Sequence, residues 1–413
     1  MLGSSLKDWF LGNRKVAQLV LSNIISQGVV FGSTILLVKL YSQEEFAVYS
    51  TFIAMSTTIG VLLVSKLDEA IIAEEEAEIF NIMSVIFWQS LFGGLLVLVC
   101  FLVLYLSLSL KYLSHSNIII LPLFIFISNL LAAWVSLWTR KLDVKKASVN
   151  RIEQSIYTSA FQFILYKIPL DGLIVGRTFG LFIAELRARP KNIIIQICKV
   201  KSVVLKSSIK KHLRYYKFNT PLSFVNQISN NLPLFIFPVI ATSSVAANYA
   251  MASRLILLPI GLFTAAAQQV FFAQMADMNR KGVDLKTYVM SFYRKAAIYG
   301  IFPFIIFVIV IPFIFDFFFN TEWKGAGTYA QLLAPWYFLV FLASSVSGIL
   351  VVKKQQKDAL RIEIIAFFFR FLAIYVGTIM VNALTGILLF SFVGVIYNVV
   401  LLIKYYTYAS SNS

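Results

Sequence analysis

Twelve long apolar stretches run through the 413 residues, separated by polar loops that alternate between heavily basic and nearly free of Lys and Arg. An α-helix needs ~20 residues to cross a hydrocarbon core ~30 Å thick, and each stretch is close to that length. They are predicted near residues 16–38, 46–67, 79–108, 117–139, 149–168, 172–187, 221–242, 247–272, 296–318, 330–352, 361–380 and 383–404. The fold class expected is therefore an all-α polytopic membrane protein. Hydrophobic residues make up 59% of the chain and charged ones 13%, with a mean hydropathy of +0.81. That balance lies far outside the range of a water-soluble enzyme. The first stretch follows Asn13, Arg14 and Lys15 but exceeds a signal peptide's apolar core and lacks a small-residue cleavage site, so it is expected to be retained as a helix.

Orientation follows from the cations, because short basic loops stay on the cytoplasmic side. Of the 36 Lys and Arg, 29 fall on one side, concentrated at Arg140 to Arg151, Arg187 to Lys217, Arg280 to Lys295 and Lys353 to Arg361. The other side holds only Lys39, Lys111, Lys167 and Lys324. Both termini are then cytoplasmic, which requires an even number of spans. One cytoplasmic loop, from Asp68 to Glu78, is acidic, but the rule counts cations and not net charge.

The net charge of +17 is explained by basic loops facing anionic lipid headgroups, so no nucleic-acid partner is expected. Cys100 lies in the third stretch and Cys198 in a cytoplasmic loop, with no metal-ligand spacing and no plausible disulfide. His115 and His212 are placed in loops on opposite sides. A metal centre, a Cys/His dyad and a Ser/His/Asp triad all lack parts, and no Walker A loop is present. No cofactor is expected and the chain is not read as an enzyme.

The longest hydrophilic segment, 188–220, divides the spans six and six. The domains expected are an N-terminal bundle over 1–187, a basic cytoplasmic linker over 188–220 and a C-terminal bundle over 221–413. Ile193, Ile197, Val200 and Val204 recur at helical spacing among lysines, the pattern of an amphipathic helix on the anionic surface. A weak repeat is visible: Asn23-Ile-Ile-Ser26 and Asn226-Gln-Ile-Ser229 open the two halves, and Tyr49 and Tyr249 follow at a similar interval. Six spans return the chain to the same side, so the halves are parallel repeats. Two bundles facing a central cavity is the architecture this predicts.

Polar residues inside the spans mark the expected cavity face: Asn23, Ser26 and Gln27 in the first, Asn226, Gln227 and Asn230 in the seventh, Gln268 in the eighth. Interhelical hydrogen bonding would account equally for the amides. Arg177, Arg254 and Arg370 are harder to accommodate, since a Lys or Arg at the bilayer centre costs about 2.5–3.5 kcal/mol on insertion scales. Each either snorkels, pairs with a carboxylate such as Glu185, Glu363 or Asp171, or holds an anionic cargo. Guanidinium groups in a low-dielectric cavity suit phosphate oxygens. Gly172, Gly176 and Gly180 form a small-residue ridge that reads as a helix-packing face.

Four stretches carry a family resemblance. They are Tyr249-Ala-Met-Ala-Ser-Arg254-Leu with Leu258-Pro259-Ile-Gly261 and Gln269-Val-Phe-Phe; Leu40-Tyr41-Ser-Gln-Glu44-Glu45-Phe46-Ala-Val-Tyr49; Glu322-Trp323-Lys-Gly-Ala-Gly-Thr-Tyr329 with Leu333-Ala334-Pro335-Trp336; and Gly172-Leu-Ile-Val-Gly176. Together they resemble Wzx-type polysaccharide-repeat flippases of the multidrug/oligosaccharidyl-lipid/polysaccharide (MOP) exporter superfamily, whose fold is MATE-like. The resemblance implies transport of an undecaprenyl-pyrophosphate-linked oligosaccharide across a bacterial inner (plasma) membrane, for O-antigen or capsule synthesis. It also implies lipid-linked oligosaccharide and membrane lipid as partners, with a polysaccharide polymerase and chain-length machinery beside them. On that reading Arg254 and Arg370, with Arg177, hold the pyrophosphate and the amides face sugar. The alternative is an ion-coupled drug or metabolite antiporter, which needs an intramembrane carboxylate.

Overall fold

Every predicted stretch falls on a helix or a pair of consecutive helices, with 149–168 overrunning its helix most, by four residues. The computed structural model describes residues 14–108, 115–141, 143–168, 171–280, 285–319, 321–353 and 355–410, and among these there is no strand. The helices are α1 Arg14–Leu37, α2 Gln43–Val64, the short α3 Leu67–Ala73, α4 Glu76–Leu108, α5 His115–Arg140, α6 Val144–Ile164 and α7 Gly172–Ala188. Two short helices follow, α8 Ile193–Cys198 and α9 Ser202–Lys211, then a π-helical turn at Tyr215–Asn219. The remainder are α10 Thr220–Ile240, α11 Ser243–Arg280, α12 Lys286–Phe318, α13 Lys324–Val346, the short α14 Ile349–Val352, α15 Gln356–Met380 and α16 Ala383–Ser410. Among the described residues seven helices are long and apolar enough to cross a membrane. The polar content of α6 and α10 keeps both off that list: Lys145, Lys146, Arg151 and Glu153 in one, Asn226, Gln227, Asn230 and Asn231 in the other.

Helix starts and stops follow local chemistry. Ser42 and Glu45 make a reciprocal capping box ahead of α2, the Ser42 amide donating to Glu45 Oε2 at 2.8 Å and the Glu45 amide to Ser42 Oγ at 3.3 Å. Asp143 caps α6 by accepting from the Lys146 amide at 3.2 Å. The tenth predicted stretch is interrupted, because α13 ends at Val346 and the chain turns at Ser347 and Gly348 before α14.

The chain forms two compact units, one of Met1–Tyr41 with Val48–Gln227, the other of Ser42–Ala47 with Ile228–Ser413. In the first, α6 and α7 pack most intimately, and the glycine ridge is the reason. A Cβ on Gly176 would come within 2.6 Å of the Gln162 backbone, and one on Gly180 within 2.5 Å of Thr158. Only hydrogen fits there, so the backbones touch as small-residue ridges allow. Polar groups then bridge the helices: Gln162 donates to the Leu173 carbonyl and Asn150 to the Ala184 carbonyl, both at 3.0 Å. Helix α1 runs parallel to α6, as first and fifth spans must, since Asn23 meets Arg151 and ten residues on Ser33 meets Ser159 at 2.7 Å.

The predicted amphipathic linker is not one helix. Lys201 is extended and splits it into α8 and α9, with Ile197 buried and Val204 37% exposed. What holds the segment is the acidic loop. Lys211 Nζ lies 2.8 Å from Glu78 Oε1, the buried His212 ring sits 3.7 Å from Glu74 and 3.9 Å from Glu78, and Tyr215 and Asn219 donate to Glu74 and Glu69 at 3.3 Å. Arg140 anchors the acidic side by donating to the carbonyls of Ile71 at 3.1 Å and Ile72 at 3.2 Å. His212, expected in a loop, is thus enclosed between two glutamates.

In the second unit the core is aromatic: Trp336, Phe390, Tyr249 and Phe237 are buried, Trp336 meeting Phe390 edge-on at 5.1 Å. Two of the family-like segments come together there, Phe46 packing edge-on to Trp323 at 5.3 Å and Gln43 donating to the Glu322 carbonyl at 2.5 Å.

Candidate functional site

Charge inside the spans is the property a membrane chain keeps only for a reason, so the guanidinium groups mark the candidate site in each unit. In the first unit Arg177, on α7, is half-buried and its Nη1 donates to the Tyr49 hydroxyl at 3.1 Å. Its Nε is buried without a hydrogen-bond partner. Among the described residues no carboxylate lies within ion-pair distance of it. Arg177 is therefore a cation held in the span by one neutral hydroxyl.

Arg151, on α6, is the residue the sequence reading missed, having been counted with the basic loop. It is half-buried within the helix and donates to Asn23 Oδ1. Because α6 and α7 run antiparallel and Gln162 lies against Gly176, Arg151 and Arg177 are separated along the helix axis by roughly 15 Å at 1.5 Å per residue. On α1, within a turn of Asn23, lie Ser26, buried with its Oγ unpartnered, and the half-buried Gln27. The result is a polar strip along α1 and α6 that begins at Arg151, while Arg177 stands on α7 beside Tyr49 of α2. The signal that would have found Arg151 is the repeat: the polar motif on the first helix of each half receives a guanidinium from the fifth long helix of that half.

The second unit shows the counterpart. Arg370, on α15, is 1% exposed, and its Nη1 donates to Ser229 Oγ at 2.9 Å and Asn230 Oδ1 at 3.2 Å, both on α10. It differs from Arg151 and Arg177 in having a counter-ion. Glu363 Oε1 lies 3.8 Å away, two turns earlier on the same helix, and Glu363 also accepts from the Tyr397 hydroxyl. The guanidinium is further enclosed by the rings of Tyr397 at 4.7 Å, Trp336 at 5.0 Å and Phe390 at 5.9 Å. Arg370 thus takes the carboxylate-paired alternative, with the partner that the sequence named among three. Glu185 is engaged elsewhere, accepting from Trp134 Nε1 at 3.0 Å.

The other predicted residues fall as follows. Arg254 is half-buried on α11, one turn beyond Tyr249, whose hydroxyl donates to the Asn230 carbonyl at 3.4 Å. Asn226 and Gln227 are half-buried on α10 and close the first unit. Gln268 lies within α11, and its side chain is outside the described residues. The structure brings Asn230 to Arg370 and Asn23 to Arg151.

With this geometry in place the relatives are informative. A family model described as "Polysaccharide biosynthesis protein" matches residues 13–279. No curated protein sequence matches the chain. Among solved structures, an outward-facing multidrug resistance MATE family transporter of the MOP superfamily shares the fold at a TM-score of 0.66 and 15% identity, covering 96% of this chain and 95% of that one. A MOP superfamily transporter from Pyrococcus furiosus, described as having a binding pocket of reversed polarity, matches at 0.66 and 13%, covering 96% of each chain. The lipid II flippase MurJ, in an inward closed conformation, matches at 0.66 and 17%, covering 95% of this chain and 89% of that one. At these identities the likeness establishes the architecture, an all-α polytopic fold of the MOP type.

Proposed function

The chain belongs to the polysaccharide biosynthesis protein family, and from that membership we propose that it is a MOP-type flippase for an undecaprenyl-pyrophosphate-linked oligosaccharide repeat unit. Its headgroup moves from the cytoplasmic to the outer leaflet of a bacterial plasma membrane while the lipid tail stays in hydrocarbon. The observation that carries this reading is Arg177, a half-buried span cation with no carboxylate partner among the described residues. An unpaired guanidinium in low dielectric is stabilised by an anion, and a pyrophosphate offers oxygens that match its fork. Arg151 and Arg177, set roughly 15 Å apart along the helix axis, provide successive stations for such a group, and Asn23 and Gln27 on α1 provide partners for sugar hydroxyls. Arg254 is assigned the same role in the second unit. Arg370 is assigned to orienting Asn230 and Ser229, since Glu363 already neutralises it. Polymerase and chain-length partners belong to this reading as its downstream consequence.

An ion-coupled antiporter would need a carboxylate available inside the spans. Glu363 and Glu185 are such carboxylates by position, but Glu363 is committed to Arg370 and Tyr397 and Glu185 to Trp134. That favours the flippase.

Deleting the gene tests the proposal. A lipid-linked oligosaccharide should accumulate on the cytoplasmic leaflet and surface glycan should fall, with restoration by the wild-type chain. Unchanged surface glycan in the deletion strain would remove the reading.

A further inference from the structure

The first turns of α12 carry an amphiphilic groove that the transport reading does not use. Lys286, Ser291, Arg294, Lys295 and Tyr299 line it from α12 and Tyr406 from the end of α16, around a volume of about 630 Å³. That is the size of a small-molecule site, which typically spans ~300–1,000 Å³. Lys286 Nζ lies over the Tyr406 ring at 5.0 Å, which ties the cation to both helices. Arg294 and Lys295 are exposed, and among the described residues no carboxylate pairs with either.

Immediately beyond the cations the same helix turns apolar and outward. Ile298 is 57% exposed, Phe302 69%, Ile305 49% and Ile309 57%, at three- and four-residue spacing. Only 11% of the apolar window of α12 is buried within the protein, so the protein leaves this stripe bare. The groove therefore has cations and hydroxyls at one end, tyrosine rings at the headgroup level and a bare aliphatic track leading into the bilayer.

We propose that this groove is a binding site for an anionic membrane phospholipid. Lys286, Arg294 and Lys295 hold the headgroup phosphate, Ser291 and Thr287 donate to its oxygens, and an acyl chain lies along Ile298, Phe302 and Ile305. Charge complementarity selects an anion, and the continuous stripe selects a lipid over a soluble phosphate, which gains nothing from it. The site lies at the cation-rich end of α12, the side on which anionic leaflets attract basic segments.

The test uses the full-length protein in mild detergent, titrated with phosphatidylglycerol and phosphatidylcholine of equal chain length and followed by native mass spectrometry. The parent should bind phosphatidylglycerol at least ten-fold more tightly. Each cation near an anionic lipid is worth about five-fold, so Lys286→Ala with Arg294→Ala and Lys295→Ala should weaken phosphatidylglycerol about a hundred-fold. The charge-preserving set Lys286→Arg, Arg294→Lys and Lys295→Arg should bind as the parent does, which separates charge loss from misfolding. Equal affinity of the parent for the two lipids overturns the proposal without any variant. So does undiminished phosphatidylglycerol binding in the triple alanine chain, or displacement of the lipid by soluble glycerol phosphate at matching concentration.

Discussion

Arg370 Nη1 and Glu363 Oε1 stand 3.8 Å apart with both side chains 1% exposed, an ion pair sealed by Trp336, Phe390 and Tyr397. Two opposite charges in such a place depend on each other. Removing one leaves the other uncompensated, which costs about 3–5 kcal/mol, whereas replacing both with neutral groups of similar volume is close to neutral. Arg370→Met and Glu363→Gln should each lower the thermal midpoint of the purified protein and its membrane abundance. The double substitution should recover most of the loss, and a double variant as unstable as the two singles added together would show the pair is not coupled.

Arg177 is expected to behave in the opposite way. Arg177→Ala should leave membrane abundance unchanged and reduce transport, because its one described partner is the neutral Tyr49 hydroxyl. Loss of a charge-assisted hydrogen bond to cargo costs about 1.5–3 kcal/mol, or about ten- to a hundred-fold in affinity. Activity should fall in the order Arg, Lys, Ala, since Lys keeps the charge but not the fork. Full complementation of surface glycan by Arg177→Ala at parental levels would remove Arg177 from the site.

Gly180→Ala tests the α6 and α7 contact directly. Its Cβ would stand 2.5 Å from the Thr158 backbone, which has no rotamer with which to retreat. The helices must separate, at about 1–3 kcal/mol. A lowered thermal midpoint is expected, and a Gly28→Ala control, with nothing within 4 Å of the new methyl, should show none.

The contact between the acidic loop and the basic segment should depend on pH. The Lys211 ammonium holds the Glu78 carboxyl below its ordinary 4.5, and Glu78 in turn raises Lys211 above its ordinary 10.5. A carboxyl lowered on folding contributes stability that is complete above its ordinary value and is lost as pH falls through the folded one. The contact should therefore be intact at neutral pH and loosen on acidification below 4.5. A spin label at Ser207→Cys should become more mobile over that acid range, and Lys211→Ala should produce the mobile spectrum at neutral pH. An acid transition unchanged by Glu78→Gln would assign the effect to other groups.

Orientation is testable by labelling. In a background of Cys100→Ala and Cys198→Ala, Ser116→Cys should react with an impermeant thiol reagent from outside and Lys210→Cys only from inside. Labelling of both from one face would require a different number of spans between them.

The twelve apolar stretches and the packing role of the glycine ridge were legible in the sequence, because each is set by residues within a few turns of one another. Hydropathy reports the solvent a segment prefers, and spacing reports the face it presents. Neither reports which face meets which. The enclosure of His212 by Glu74 and Glu78 and the place of Arg151 beside Asn23 join residues far apart in the chain. The sharpest division concerns the three intramembrane arginines, which are alike in sequence: a cation in an apolar run. Whether such a cation is neutralised is decided by what lies within about 4 Å, where the Coulomb energy in low dielectric outweighs the helix's own preferences. By itself the sequence determined that these charges had to be compensated. Only the tertiary structure decided that Glu363 compensates Arg370 and that Arg177 is left with a hydroxyl.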